Sequence, residues 1–177
     1  MTLPAVPPLT TERLLLSGHT HADLDDARAL WSDPDVVRFI GGKPATEEEV
    51  WTRLLRYVGH WAVMGFGYWV VRERQGGRFL GEVGFADFHR ALTPPLEGAP
   101  EMGWVLAPHA HGRGYASEAV GAALGWARGH FGQGKRSVCL IHPDNAPSFR
   151  VAEKAGFREE LRTTYKGEPT VLLARPL

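Results

Sequence analysis

The chain has 177 residues, 44% of them hydrophobic and 23% charged, which fits one globular domain (1–177, core about 11–175). Twenty Lys and Arg balance twenty Asp and Glu, so the zero net charge argues against a nucleic-acid binder or a polybasic membrane clamp. The lone cysteine, Cys139, excludes an intramolecular disulfide framework and any cysteine-rich zinc site.

Met1–Thr10 is proline-broken and carries neither the charged flank nor the apolar run of a signal peptide. No apolar run approaches the ~20 residues of a membrane helix, so the expectation is a cytoplasmic protein without a membrane partner. Arg13–Ser17 reads as a first strand. Thr20 and Asp23 form a capping box for a helix near His21, with Leu24, Ala27, Leu30 and Trp31 on its apolar face. Thr46 and Glu49 form a second, before Val50, Trp51, Leu54, Leu55, Val58, Trp61 and Ala62 at helical spacing. Gly65 and Gly67 end that helix. Tyr68–Glu73 and Phe79–Phe88 make a hairpin about Gly76-Gly77. Ala91–Pro100 is an excursion between strands, too short to divide domains.

Glu101–Leu106 is another strand, Ser117–His130 a helix and Ser137–Ile141 a buried strand. Asn145 caps a helix through Ala155, stopped at Gly156. Phe157–Tyr165 and Thr170–Ala174 are two last strands, joined by a turn over Lys166–Pro169. The fold class is α+β, a mixed, mostly antiparallel sheet flanked by helices. Strand, helix, strand from Glu101 to Ile141 implies one parallel crossover.

His111-Gly112-Arg113-Gly114-Tyr115-Ala116 lies between a strand and a helix. Gly112 and Gly114 lack a Cβ where backbone approaches a ligand, and Ser117 and Glu118 open a helix whose first N–H groups are unpaired. Such a turn cradles phosphate or pyrophosphate, and Arg113 adds a charge. The same glycines also serve a ligand-free helix cap. A Rossmann fingerprint does not fit, because the turn reads G-x-G-x-A late in the chain and after antiparallel strands. Gly129–Lys135 matches a Walker A loop until Arg136 replaces the required Ser or Thr, and it follows a helix instead of a strand.

The run Glu101–Val120 (EMGWVLAPHAHGRGYASEAV) resembles the acetyl-coenzyme A signature of the GNAT N-acetyltransferases. The family's Q/R-x-x-G-x-G/A reads here His111-x-x-Gly114-x-Ala116, with His111 departing from Gln or Arg. Asp144–Ser148 and Val151–Phe157 resemble the family's second conserved region. Thr11–Leu16 and Gly65–Trp69 are similar to the branch that acetylates ribosomal-protein N-termini. This resemblance spans about Thr11 to Arg175. It implies acetyl-CoA as cosubstrate, no metal, and a primary-amine acceptor: a peptide N-terminus or a small molecule.

The resemblance further implies that the strand ending at Leu106 and the strand Ser137–Ile141 splay apart to admit pantetheine. Trp104, Val105 and Leu106 would pair with its amides. His111, Gly112, Arg113, Gly114, Tyr115, Ala116 and Ser117 would hold the pyrophosphate, with Asn145 near the pantetheine arm. Ser148 matches the serine that serves the leaving thiolate in the ribosomal-protein branch, though a first-turn cap is its plain alternative.

An acetyl thioester is already activated, so a neutral amine attacks it directly and a modest base suffices. Glu101, at the start of the cofactor strand, and Glu82, among glycines on a central strand, are the candidate bases. An exposed edge charge and an arginine partner are the structural alternatives. Tyr165 lies where some family members carry a tyrosine acid. His109, His111 and His142 lack a supporting metal-ligand set. Cys139 reads as a buried small hydrophobe. Trp31, Trp51 and Trp61 fall on the two helices that line the family's acceptor groove. Their apolar faces serve a core or a homodimer alike. Two other functions fit part of the pattern: a non-catalytic acyl-CoA sensor, and a nucleotide-binding module using Gly129–Lys135.

Overall fold

A computed structural model describes residues 5–177. The elements run β1 (Leu9–Thr10), β2 (Leu14–Ser17), α1 (Leu24–Trp31), α2 (Pro34–Val37), α3 (Glu47–Met64), β3 (Tyr68–Glu73), β4 (Phe79–Ala86) and β5 (Glu101–Leu106). Then come α4 (Tyr115–Phe131), β6 (Arg136–Ile141), α5 (Ala146–Lys154), β7 (Arg158–Tyr165) and β8 (Glu168–Pro176). The strands form one sheet in the order β1-β2-β3-β4-β5-β6-β8-β7. Every neighbouring pair is antiparallel except β5–β6, the parallel pair that brackets α4.

β4 is buried along its whole length, as expected of a strand that lies mid-sheet and is covered on both faces. Its alternation sorts the two layers. Val83 and Phe85 pack with Trp69, Met102 and Cys139 against the small face of α4, Ala119, Val120, Ala123 and Ala127. On the other face Val70 packs with Leu30, Trp31 and Val50 of α1 and α3. Glu82 lies buried on this second face, against Trp31.

The capping boxes at Thr20/Asp23 and Thr46/Glu49 both form. The first opens a single 3-10 turn, His21–Asp23, before α1 begins. Gly65 ends α3 in the left-handed conformation. β1 and α2 are additions to the elements expected, and β8 starts at Glu168, so the β7–β8 turn is only Lys166-Gly167. Asp33 caps α2 by accepting from the Asp35 amide, with Pro34 in its first turn. Among the described residues, no helix is long and apolar enough to cross a membrane.

Two features hold the sheet to what surrounds it. Gly84 sits under the β3 backbone: a Cβ there would lie 2.4 Å from the Gly67 carbonyl oxygen and from the Tyr68 Cα. Glu118, in the first turn of α4, ties that helix to the N-terminal segment. Its Oε1 accepts from the Thr11 hydroxyl (2.6 Å) and the Arg13 amide (3.0 Å), and its Oε2 from Arg13 Nε (2.7 Å). Burial raises the Glu118 carboxyl, but the Thr11 and Arg13 hydrogen bonds and the Arg13 charge outweigh it and hold the group below its ordinary value.

Gly84→Ala is expected to cost about 1–3 kcal/mol, because backbone and not a side-chain tip would have to move; urea unfolding measures it, and an unchanged midpoint would show that β3 and β4 can part locally. The Glu118 tie has a pH signature. A depressed folded pKa stabilises above the unfolded value and is lost as pH falls through the folded one. The stability advantage of the parent over Glu118→Gln should therefore be full near neutrality and shrink below about pH 5.

Candidate active site

The strands β5 and β6 share a single register pair, Glu101 with Val138. Just before that point Ser137 Oγ and the Val138 amide both donate to the Pro100 carbonyl (2.9 and 3.1 Å). Beyond it, β5 stays paired to β4 through Leu106 and β6 to β8 through Ile141, so the two halves of the sheet part company. A cleft of about 750 Å³ opens there, walled on one side by Trp104, Val105 and Leu106.

The floor is the glycine turn. Gly112 and Gly114 stand at φ 72° and 78°, in the left-handed region that excludes most side chains. Gly114 is the N-cap of α4 and offers no side-chain cap, so the orphan amides of the first turn have no side-chain acceptor there. Gly112, Gly114, Tyr115, Ala116 and Ser117 line the cleft. The positive end of a 17-residue helix therefore meets an open, glycine-lined space.

His111 has a local task. Its Nε2 lies 2.8 Å from the Leu106 carbonyl, which can only accept, so Nε2 carries the proton and pins the turn to the end of β5. Arg113 does not line the cleft. Its guanidinium lies over the Tyr115 ring (4.9 Å to the centroid) and 3.7 Å from Glu73, which also accepts from the Tyr115 hydroxyl (3.0 Å). Arg13 Nη1 donates to the Arg113 carbonyl (2.9 Å), so the segment that binds Glu118 also locks the turn.

The opposite wall comes from α5. Asn145 accepts from the Ser148 amide (3.3 Å) and so takes the capping role itself. The Ser148 hydroxyl has no hydrogen-bond partner among the described residues, and both side chains line the cleft with Arg150 and Lys154. A third wall was not anticipated: Asp35, Val36, Arg38, Phe39 and Ile40, from α2 and the segment after it. Phe39 stacks on His142 at the end of β6 (5.2 Å, 29°) and so bridges toward the far side. The Asp-Pro pair at positions 33 and 34 was the sequence signal for this wall.

The two candidate carboxylates lie behind the cleft, not in its lining. Glu82 is paired in register with Val105, and its oxygens take Trp31 Nε1 (3.0 Å) and His19 Nε2 (3.3 Å). Glu101 is gripped by Arg90, Nε at 2.6 Å and Nη2 at 2.8 Å. Between them stands Tyr68, whose hydroxyl would sit 2.0 Å from a Cβ at position 103, so Gly103 is what admits it. Burial first, then Glu101, pushes the Tyr68 hydroxyl well up, and it stays protonated. Tyr165 flanks Arg90 (4.9 Å), outside the cleft lining.

Burial, and then Glu101, also pushes the Cys139 thiol up, which leaves it an inert core group. Among the described residues, no group of three or more His, Cys, Asp or Glu could hold a metal ion. Gly129–Lys135 covers the C-terminal end of α4 and the turn after it, the negative pole of the helix, which repels phosphate.

A family model of the acetyltransferase (GNAT) domain matches residues 13–158. A GNAT-family acetyltransferase from Bordetella pertussis is 32% identical, with a TM-score of 0.85 over 96% of this chain and 99% of that one. Two more distant structures share the fold. Spermidine N-acetyltransferase from Vibrio cholerae, solved with CoA and spermine, is 18% identical with a TM-score of 0.73 over 94% and 96% of the two chains. Ribosomal-protein-S5-alanine acetyltransferase from Vibrio fischeri is 18% identical with a TM-score of 0.74 over 97% of each. With the parted strands, the glycine turn and the family match in agreement, the chain belongs to the GNAT acetyltransferase family.

Proposed function

We propose that this protein moves the acetyl group of acetyl-CoA to a primary amine, on a peptide N-terminus or a small molecule, by direct attack in a ternary complex. The observation that carries this reading is the cleft between β5 and β6 with an uncapped helix N-terminus at its outer end. Its unpaired strand edge suits an amide-bearing arm, and its oriented N–H groups suit a pyrophosphate. Backbone N–H groups from Gly112 to Ser117 hold the phosphates. Val105 spends its backbone groups on Glu82 of β4 and the Leu106 carbonyl takes His111, so the Trp104 backbone and the Leu106 amide carry the pairing with the pantetheine amides. Asn145 holds α5 in place beside that arm.

The bound cosubstrate supplies an activated thioester, and this chain positions the amine and manages the protons. Ser148, with its hydroxyl uncommitted and facing the cleft, donates to the departing thiolate sulfur. An α-amino group has a pKa of about 7.7–8, so a large share is neutral at the pH where such proteins work. The base demand is therefore small for a peptide N-terminus and larger for an alkylamine, whose pKa is about 10. Glu82 and Glu101 meet it from behind Tyr68, by favouring positive charge at the amine and passing its proton outward through water. Their commitment to His19, Trp31 and Arg90 also favours a second reading, an acyl-CoA sensor that binds without turnover.

A thiol-release assay with acetyl-CoA and a panel of peptides and amines separates the two: release dependent on amine supports the enzyme, and thermal stabilisation by acetyl-CoA without release supports the sensor. Ser148→Ala should lower turnover about 100-fold while leaving coenzyme A affinity nearly unchanged; full activity would remove Ser148 from the mechanism. Gly114→Glu strains a left-handed position and brings a carboxylate to the first turn of α4, its Cβ 3.4 Å from Arg13 Nη2, so calorimetry should detect no coenzyme A binding while circular dichroism reports a folded protein. Retained affinity would displace the cofactor from this turn.

A further inference from the structure

The α1/α3 face of the sheet holds a cluster that the cofactor cleft does not use. Tyr57 of α3 stacks on Tyr68 (4.7 Å) and lies against His19 (4.8 Å). Arg53 lies over the Trp31 ring at 3.7 Å, and Arg56 over Phe88 at 5.0 Å. A chain of packed residues links the cluster to the cleft wall. Val105 is a cleft wall residue, Glu82 is its register partner, Trp31 donates to Glu82, and Arg53 covers Trp31.

The charges of this cluster are unevenly matched. Both buried carboxylates are taken, Glu82 by His19 and Trp31 and Glu101 by Arg90 through two hydrogen bonds. The two arginines of α3 lack such carboxylate partners: neither Arg53 nor Arg56 has an ion-pair partner among the described residues, and although the Arg53 guanidinium neighbours the Tyr57 hydroxyl, its Nε is buried with no acceptor. They share a groove of about 400 Å³ with Thr46, Glu48, Glu49 and Thr52. Glu48 and Glu49 line the same groove, Glu49 accepting from the Thr46 amide (2.8 Å), and neither forms an ion pair with Arg53 or Arg56 among the described residues. A polycation entering here meets no open carboxylate in the buried cluster, and at the rim two guanidinium groups that Glu48 and Glu49 leave without an ion pair. An acceptor with a negative charge a short distance from its amine meets the complementary arrangement.

We infer that the acceptor is a primary amine tethered to a carboxylate, and that Arg53 and Arg56 select it by binding that carboxylate. This rests on the acetyltransferase reading above and names the substrate class of the same site. Extended peptide advances about 3.3 Å per residue, so an acidic side chain at the second or third position of a peptide acceptor, or the acid end of a small amino acid, is the negative charge that Arg53 and Arg56 would meet.

Matched acceptors test it on the full chain with acetyl-CoA: Ala-Asp-Asp-Gly-amide against Ala-Asn-Asn-Gly-amide for a peptide source, β-alanine against β-alaninamide for a small one, and spermidine as the polycation. The expected result is a preference of about tenfold or more in kcat/KM for the anionic member of one pair, carried by KM. That preference shrinks in 0.5 M salt and falls to within about twofold in Arg53→Gln and Arg56→Gln. Arg56 is exposed, so its variant keeps the test sound if loss of Arg53 disturbs the Trp31 stack. Equal use of both members of each pair, spermidine as the best acceptor, or a preference that survives both variants overturns the inference and leaves the acetyltransferase standing. If no amine is acetylated, that reading falls, and calorimetry with the coenzyme A-loaded protein still decides. Tighter binding of an anionic member, weakened by Arg56→Gln, upholds the selective role of the arginines; equal or absent binding of both members ends it.

Discussion

The molecule is organised by a parting of two parallel strands. β5 and β6 meet at one residue pair and then follow different partners, β4 on one side and β8 on the other. A sheet normally satisfies its edges by pairing them; here both inner edges are left facing a cleft, a cost in unpaired backbone groups that a ligand rich in amides can offset. The crossover helix α4 must start at the mouth of that cleft because it connects the same two strands. The positive helix end and the open edge are thus two consequences of one topological choice.

The site handles charge by local means. The chain carries no net charge, yet it presents an oriented helix terminus, Arg150 and Lys154 on one side of the sheet, and on the other two arginines with no ion pair among the described residues. Fields of this kind act over about 8–10 Å at ordinary ionic strength, so they address the parts of a bound molecule separately. The buried acids lie between, each held by hydrogen bonds from its own partners. Tyr57 and Tyr68 remain uncharged beside them, so the centre of the site carries hydroxyls instead of mobile charge.

Much of this was legible in the residue order because it rests on local physics. Capping boxes, the αL glycine at 65 and the glycine turn before α4 depend on neighbours within four positions, and so did the strand and helix periods. The single parallel crossover followed from element order. What escaped was short or long-range. α2 is four residues long, too brief to show a period, yet it supplies a cleft wall. Arg113 looked like a phosphate ligand from its place in the turn, but its direction is set by Glu73 and Tyr115. The partners of Glu82 lie 51 and 63 positions away, and nothing in its local run, Gly81-Glu82-Val83-Gly84, points to Trp31 or His19. Gly103 is explained only by a tyrosine hydroxyl from β3.

The tie between Arg13 and the glycine turn has a kinetic side. Arg13 bonds the Arg113 carbonyl and Glu118 across sequence separations of 100 and 105 residues. Closing a chain loop of that length is entropically slow relative to forming helices or hairpins, so this contact belongs to the last stage of chain collapse. The turn can exist as a local bend early on, while its locked form waits for the N-terminal segment to arrive. The geometry of the turn thus depends on an arrival from the far end of the chain, and a sheet assembled without it would leave the turn free to move.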